Sequence, residues 1–303
     1  MPSLLKRIRV TSMNAGAQKL LKEKKEYFEK LLEKQLSNVV LEKRLQGACL
    51  YALSNGGKRL RPLIIYLIQE ALKSKENVDP AALALEFFHT ASLIADDLPC
   101  MDNAKERRNK PTLHSFYDEA TALLASYALI VAAFEKIQEA TDNSFLQDKN
   151  QRGSIALKQV CQAAGIQGAT GGQYLDLFAD NLDQDLLETI IYKKTVVLFE
   201  VAFSLGWLYS GGALNVLEDV IKAGRDLGFA FQLIDDVLDQ AEDNQKKQPS
   251  NMTCFIGEEK TKEKIFELLK SCENSLEKTG LNSKGFLFLL GTLKDYLKVS
   301  PRL

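Results

Sequence analysis

Two histidines, five cysteines and one tryptophan among 303 residues leave little room for several kinds of chemistry. Cys49, Cys100, Cys161, Cys254 and Cys272 are odd in number and widely scattered, with no CxxC or Cys/His spacing. That pattern excludes a zinc cage and a disulfide framework, and it suits reduced thiols in a cytoplasmic setting. No serine, cysteine or histidine stands in a triad-like arrangement. Net charge is also lacking: 39 basic side chains offset 40 acidic ones, a formal -1, so the chain offers no field for a polyanion and no nucleic acid is expected. No apolar run reaches the roughly 20 residues of a membrane-spanning helix, and the apolar core of a signal peptide is missing. Acidic residues are absent from Met1 to Lys22, where Lys6, Arg7, Arg9, Lys19 and Lys22 are basic. Transit peptides share that bias, which leaves plastid or other organelle import open, but the expected reading is a flexible basic arm over residues 1–20 of a cytoplasmic protein.

Glycine (18) and proline (7) are sparse as well, and apolar residues recur at helical spacing nearly everywhere. Helical stretches are predicted over 81–98, 113–140, 155–166, 186–210, 216–240, 262–278 and 286–297. Breakers fall between them at Asn55-Gly56-Gly57, Pro80, Pro99, Pro111, Gly171-Gly172, Gly211-Gly212, Pro249 and Gly280. No convincing strand is visible. The expectation is an all-α single domain over 1–303, with about ten or more helices around a central apolar cavity.

Two segments interrupt the apolar pattern with clustered carboxylates. Asp96-Asp97 follows directly on the apolar run Ser92–Ala95, with Asp102 close behind, and Asp235-Asp236 follows Phe229–Ile234, with Asp239 close behind. Adjacent carboxylates on a buried helix are unfavourable unless a cation or donors offset them. On a helix Asp235 and Asp239 share one face, a repulsive choice for stability and a suitable one for a hard cation. Asp96 and Asp102 are six apart, on different faces of a straight helix, but Pro99 ends that geometry and lets Asp102 rejoin Asp96. Oxygen ligands without histidine favour Mg²⁺ or Mn²⁺ over zinc.

Cations accompany the acids. Gly56-Gly57-Lys58-Arg59-Leu60-Arg61-Pro62 combines glycines that admit an anion to the backbone with two arginines and a lysine that can hold phosphate. Arg107 and Arg108 follow the first aspartates, and Lys193-Lys194-Thr195 is embedded in an apolar helical stretch. Carboxylates for metal, cations for phosphate and apolar helices beside both describe a site for an apolar substrate bearing diphosphate.

These motifs resemble the trans-isoprenyl diphosphate synthases, in particular the bacterial and plant farnesyl and geranylgeranyl diphosphate synthase branch, over about residues 20 to 300. Asp96-Asp97 with Asp102, and Asp235-Asp236 with Asp239, match its two aspartate-rich motifs. The resemblance implies about three Mg²⁺ ions, with Asp96, Asp102 and Asp235 as main ligands and Asp97, Asp236 and Asp239 in support; Mn²⁺ can substitute. It further implies that Arg107, Lys194, Thr195 and Gln232 face an allylic diphosphate (dimethylallyl, geranyl or farnesyl). Lys58, Arg61, His89 and Arg108 would hold isopentenyl diphosphate. Gln173 and Asp176 match a segment near the active site, His114 is a core or loop histidine, and a homodimer is implied. The chain departs from the branch at Ala95, where a histidine is common, at Ala104-Lys105-Glu106, and at Asn109, which replaces a glycine. The usual Gly-Lys after the second motif is absent, leaving Lys246 or Lys247 as a substitute.

A prenyl tail would run along the helix below Asp96, where one turn rises about 5.4 Å, close to one isoprene unit. Ala91 and Ser92 are small and would let the tail pass; Phe87 and Phe88, a turn deeper, are the expected floor. That places the product at geranylgeranyl diphosphate, with farnesyl diphosphate as the alternative. A terpene cyclase and a non-catalytic partner subunit are further alternatives.

Overall fold

The computed structural model describes residues 15–37, 43–243 and 251–298. Its helices are α1 (Ala15–Ser37), α2 (Lys43–Leu53), α3 (Leu60–Ala71), α4 (Asp79–Asp96), α5 (Leu113–Phe116), α6 (Glu119–Asp142), α7 (Lys149–Ala164), α8 (Ala169–Phe178) and α9 (Gln184–Ile191). A π-helical turn, Tyr192–Val196, leads into α10 (Val197–Tyr209), followed by a 3-10 turn at Leu214–Val216, α11 (Leu217–Asp243), α12 (Met252–Ile256), α13 (Glu258–Lys278) and α14 (Lys284–Lys298). The expected all-α class is what the chain adopts, and the five cysteines are free thiols.

Helix α10 is the axis, with all of its residues from Val197 to Tyr209 buried. Its sequence is apolar on every side, which only a surrounded helix can satisfy. Around it pack α3, α4, α7 and α11, while α6 covers α4 and α13 covers α11. Gly206 permits the α3 contact, because a Cβ there would lie 2.9 Å from Ile68 Cδ1.

Three local features differ from the sequence expectation, each for a visible reason. The stretch expected as one helix over 113–140 is divided, because Asp118 turns out of the helix and its carboxylate accepts from the Thr121 amide at 2.7 Å, capping α6. The stretch over 186–210 is widened by the π turn at Tyr192–Val196. A short antiparallel hairpin, β1 (Glu106–Arg107) with β2 (Lys110–Pro111), appears where no strand was expected. Its two turn residues, Arg108 (φ 57) and Asn109 (φ 61), are both left-handed, the turn that matches strand twist. Asparagine tolerates that conformation, which explains how Asn109 stands where a glycine is usual.

Residues 15–20, assigned to a flexible arm, belong to α1, whose Leu21 is buried. Residues 1–14 and the segment holding Lys246 and Lys247 lie outside the described residues. Helix α6 is long and apolar enough to cross a membrane by length and composition, with a third of that window buried, so it exceeds what the run lengths suggested. Leu124, Tyr127 and Val131, spaced by one turn, form its exposed apolar stripe.

Candidate active site

Helix α4 ends at Asp96, three residues before Pro99. The chain then folds back so that the Asp102 amide donates to the Asp96 carbonyl at 3.0 Å, bringing the two residues together. Burial raises the Asp96 carboxyl to about 6, with the nearby Asp102 and Asp97 charges adding to the rise and Lys194 and Arg107 opposing it. Burial also raises Asp102, with Asp176 of α8 adding to it. On α11, Asp235 is raised by burial against the opposing pull of Lys58 and Arg61.

The remaining acids have different surroundings. Asp97 is buried and forms a forked ion pair with Arg107, with contacts of 2.7, 2.9 and 3.0 Å. Arg107, expected to face a diphosphate, therefore holds the hairpin onto the end of α4. Asp236 is only 4% exposed; it accepts from Gln232 Nε2 at 2.9 Å and from the Met252 amide at 2.9 Å. Asn251 Nδ2 donates to the Asp236 carbonyl at 2.8 Å. Asp236 thus fastens the segment entering α12 to α11, while Asp235 and Asp239 are less buried.

The π turn joins the two carboxylate sets. Lys194 Nζ lies 2.5 Å from Asp176 Oδ2, on the side of Asp96 and Asp102. Its neighbour Thr195 donates to Gln232 Oε1 at 2.9 Å, on the α11 side, continuing to Asp236. Lys194 and Thr195 are half-buried polar residues in an otherwise apolar stretch, and single π turns of this kind are frequent at functional sites.

A cationic group lies beside these acids. Lys58 Nζ is 3.3 Å from Asp235 Oδ1 and 4.7 Å from the Phe231 ring centroid. Arg61 stacks over Phe199 at 4.8 Å and comes within 3.4 Å of His89 Nε2. Burial lowers Arg61 to about 10 and, with Arg61 and Arg108 nearby, holds His89 well below 6.5. Arg108 donates to the Gly56 carbonyl. Lys25 of α1, which carries no sequence signal beyond helix-surface charge, donates to the Gly57 carbonyl at 2.7 Å. Arg59, read from sequence as a phosphate donor, turns inward instead: it is 3% exposed and pairs with Glu86 of α4 and Glu29 of α1.

Beneath Asp96, Ser92 is half-buried and Phe88 is buried edge-on against Phe134, with centroids 5.0 Å apart. Ala91 is buried, and its carbonyl accepts from Ser126 of α6 at 3.0 Å. Gln173 approaches Met101 Sδ at 3.8 Å, while its Oε1 and the Arg61 Nε are buried without a partner among the described residues. Both orphans lie in this site, as a site shaped for a ligand would have them. His114 is buried and bonds Thr112.

The donor set suits Mg²⁺: carboxylate oxygens, raised by burial, with the ammonium groups of Lys58 and Lys194 set against the acids. Among the described residues no three His, Cys, Asp or Glu side chains converge to enclose an ion. Mg²⁺ ordinarily takes one or two carboxylates and completes its shell with water and substrate phosphate.

Helices around a buried apolar axis, with two carboxylate sets facing a cationic loop, define an isoprenoid-synthase-type protein. Residues 42–253 match the family model described as Polyprenyl synthetase, and the chain belongs to that family. Farnesyl diphosphate synthase of Bacillus subtilis (strain 168) is 35% identical over 280 residues, 88% of this chain and 92% of that protein. The large subunit 2 of the heterodimeric geranylgeranyl pyrophosphate synthase of Arabidopsis thaliana is 36% identical over 250 residues, 77% of this chain but only 65% of that protein, slightly under two thirds. Among solved structures, a geranyltransferase from Legionella pneumophila superposes with a TM-score of 0.81 at 26% identity, covering 96% of this chain and 99% of that one. A geranyltranstransferase from Thermotoga maritima does so at 0.78 and 30% identity, covering 92% and 98%.

Proposed function

We propose that the chain is a Mg²⁺-dependent prenyltransferase that condenses isopentenyl diphosphate with an allylic diphosphate, head to tail and in trans, giving geranylgeranyl diphosphate. The observation that carries this reading is the adjacency of two charge sets, with Asp235 against Lys58 on one side and Asp176 against Lys194 on the other. A cyclase needs one diphosphate site. The cations Lys58, Arg61 and Arg108, with neutral His89 beside Arg61, offer a second, metal-free one, which elongation requires.

Asp96, Asp102, Asp235 and Asp239 would hold the metal, and bound Mg²⁺ supplies neutralisation of the departing diphosphate. Asp97 and Asp236 act behind them, Asp97 through Arg107 and Asp236 through Gln232. Thr195 commits its hydroxyl hydrogen to Gln232, so its oxygen lone pairs form a fixed negative end toward an allylic cation. Arg61, Lys58 and Arg108 orient the isopentenyl diphosphate, and neutral His89 fixes the Arg61 plane. The isopentenyl double bond then attacks the cation. The released diphosphate accepts the proton, so no side-chain nucleophile is required.

The product assignment draws on Ser92 and Phe88, which precede Asp96 by one and two turns on α4. The apolar stripe of α6 at Leu124, Tyr127 and Val131 suits a homodimer. Purified chain incubated with Mg²⁺, isopentenyl diphosphate and each allylic primer in turn should release the twenty-carbon product. A fifteen-carbon end product would favour the farnesyl reading, and no elongation with any primer would reject prenyl transfer.

A further inference from the structure

Helix α1 ends at Ser37, outside the 42–253 family match, yet two of its side chains grip the loop that carries Lys58 and leads into α3 at Arg61. Lys25 Nζ donates to the Gly57 carbonyl at 2.7 Å. One turn further along, Glu29 accepts from Arg59 Nε at 2.9 Å and from a terminal nitrogen at 3.1 Å. Arg59 also donates to Glu86 and to the Leu53 carbonyl, so its guanidinium is held from three elements.

The loop requires such restraint. Gly56 (φ 75), Gly57 (φ 137) and Arg59 (φ 51) all have left-handed backbone, and a non-glycine residue keeps that conformation only where its surroundings impose it. Because carbonyl and amide point oppositely across a trans peptide, pinning the Gly57 carbonyl on Lys25 aims the Lys58 amide away from α1. Among the described residues Lys19 and Lys22 of the same helix do nothing comparable; they pair with Glu23 and Glu26, at 3.7 and 3.8 Å on the exposed surface.

We propose that Lys25 and Glu29 are positioning residues for the second, metal-free diphosphate. By fixing the Gly57 carbonyl and Arg59, they set where Lys58 and Arg61, on either side of Arg59, present their charges. This rests on reading Lys58, Arg61, Arg108 and His89 as the isopentenyl diphosphate site.

Calorimetric titration of the full chain with isopentenyl diphosphate, without metal, tests it on Lys25→Met, Lys25→Arg, Glu29→Gln and Lys22→Met. Lys25→Met and Glu29→Gln should bind about tenfold more weakly, the scale of one lost charged hydrogen bond. Lys25→Arg, which can still donate to Gly57, should recover most of that, and Lys22→Met should match wild type. In turnover, the KM for isopentenyl diphosphate should rise while the KM for the allylic substrate holds. Melting curves establish that each variant is folded; should Lys25→Met fail, Glu29→Gln and Lys25→Arg carry the comparison. Wild-type affinity in both Lys25→Met and Glu29→Gln overturns the proposal, as does an equal loss in Lys22→Met, which would indicate helix charge alone. Absence of binding by wild type would instead reject the site reading on which the proposal stands.

Discussion

Lys58 Nζ lies 3.3 Å from Asp235 Oδ1, so a cation assigned to one substrate neutralises a carboxylate assigned to the metal of the other. Both side chains keep about a third of their surface exposed, 37% and 30%, and an ion pair so screened contributes under about 1 kcal/mol. A charged hydrogen bond to phosphate is stronger, about 1.5 to 3 kcal/mol. Lys58→Met should therefore leave melting nearly unchanged while weakening isopentenyl diphosphate about ten- to a hundredfold, read by calorimetry. A large fall in melting temperature with affinity intact would reverse the assignment.

Arg59 and Arg61, two residues apart, should respond in opposite ways. Arg59→Met strands Glu86, which is buried beneath it, and breaking such a pair costs about 3 to 5 kcal/mol. The melting temperature should drop by roughly 5 to 10 °C. Among the described residues Arg61 has no carboxylate partner at hydrogen-bond distance and its Nε is unsatisfied, and burial already disfavours its charge. Arg61→Met should melt at or above the wild-type temperature yet lose isopentenyl diphosphate binding. Equal destabilisation of the two variants would contradict this division.

That pair also shows where sequence stops being informative. Helical periodicity and Pro99 dictate which carboxylates share a face, so spacing and residue type single out Asp96, Asp102 and Asp235, and residue type marks Lys58 and Arg61 as phosphate donors, whereas only the family resemblance places His89. Spacing could not separate Arg59 from Arg61, since the difference lies in Glu29 and Glu86, which arrive from distant helices. The same limit hid the burial of Asp236, which depends on Asn251 and Met252 bonding to it from the start of α12. The π turn had only the two embedded lysines as a trace, and Lys25 had none.

His89 predicts an acid limb in stability. Burial and the surrounding Arg61, Arg108, Arg59 and Arg107 hold its folded pKa well below 6.5, so on acidification the unfolded chain takes up the proton first. Its contribution is complete above pH 6.5 and declines below it, by up to about 1.4 kcal/mol per pH unit. Asp96 acts in the opposite direction, because its carboxyl is raised and its protonated form favours the folded chain below about 6. Comparing wild type with His89→Gln cancels that contribution. The wild-type advantage should shrink from pH 7 to pH 5 in metal-free melts, and a constant difference would show that His89 does not titrate this way.

Phe88 should decide where the product stops. It sits two turns below Asp96 with its ring edge-on to Phe134, while Ser92, one turn below, is half-buried. Ala91 is the poorer position for a block, because its side chain is buried and its carbonyl is bonded to Ser126 of α6, so a larger residue there would disturb the α4–α6 contact. Ser92→Phe, by contrast, adds its ring in the path of the tail and should shorten the main product to fifteen carbons. Phe88→Ala opens the floor and should yield products beyond twenty carbons, at a stability cost of about 3 kcal/mol or more from the lost ring. Chromatography of the dephosphorylated products reads both. If chain length is unchanged in Ser92→Phe and in Phe88→Ala, the tail does not run along this face of α4, and Phe88 is core packing against α6.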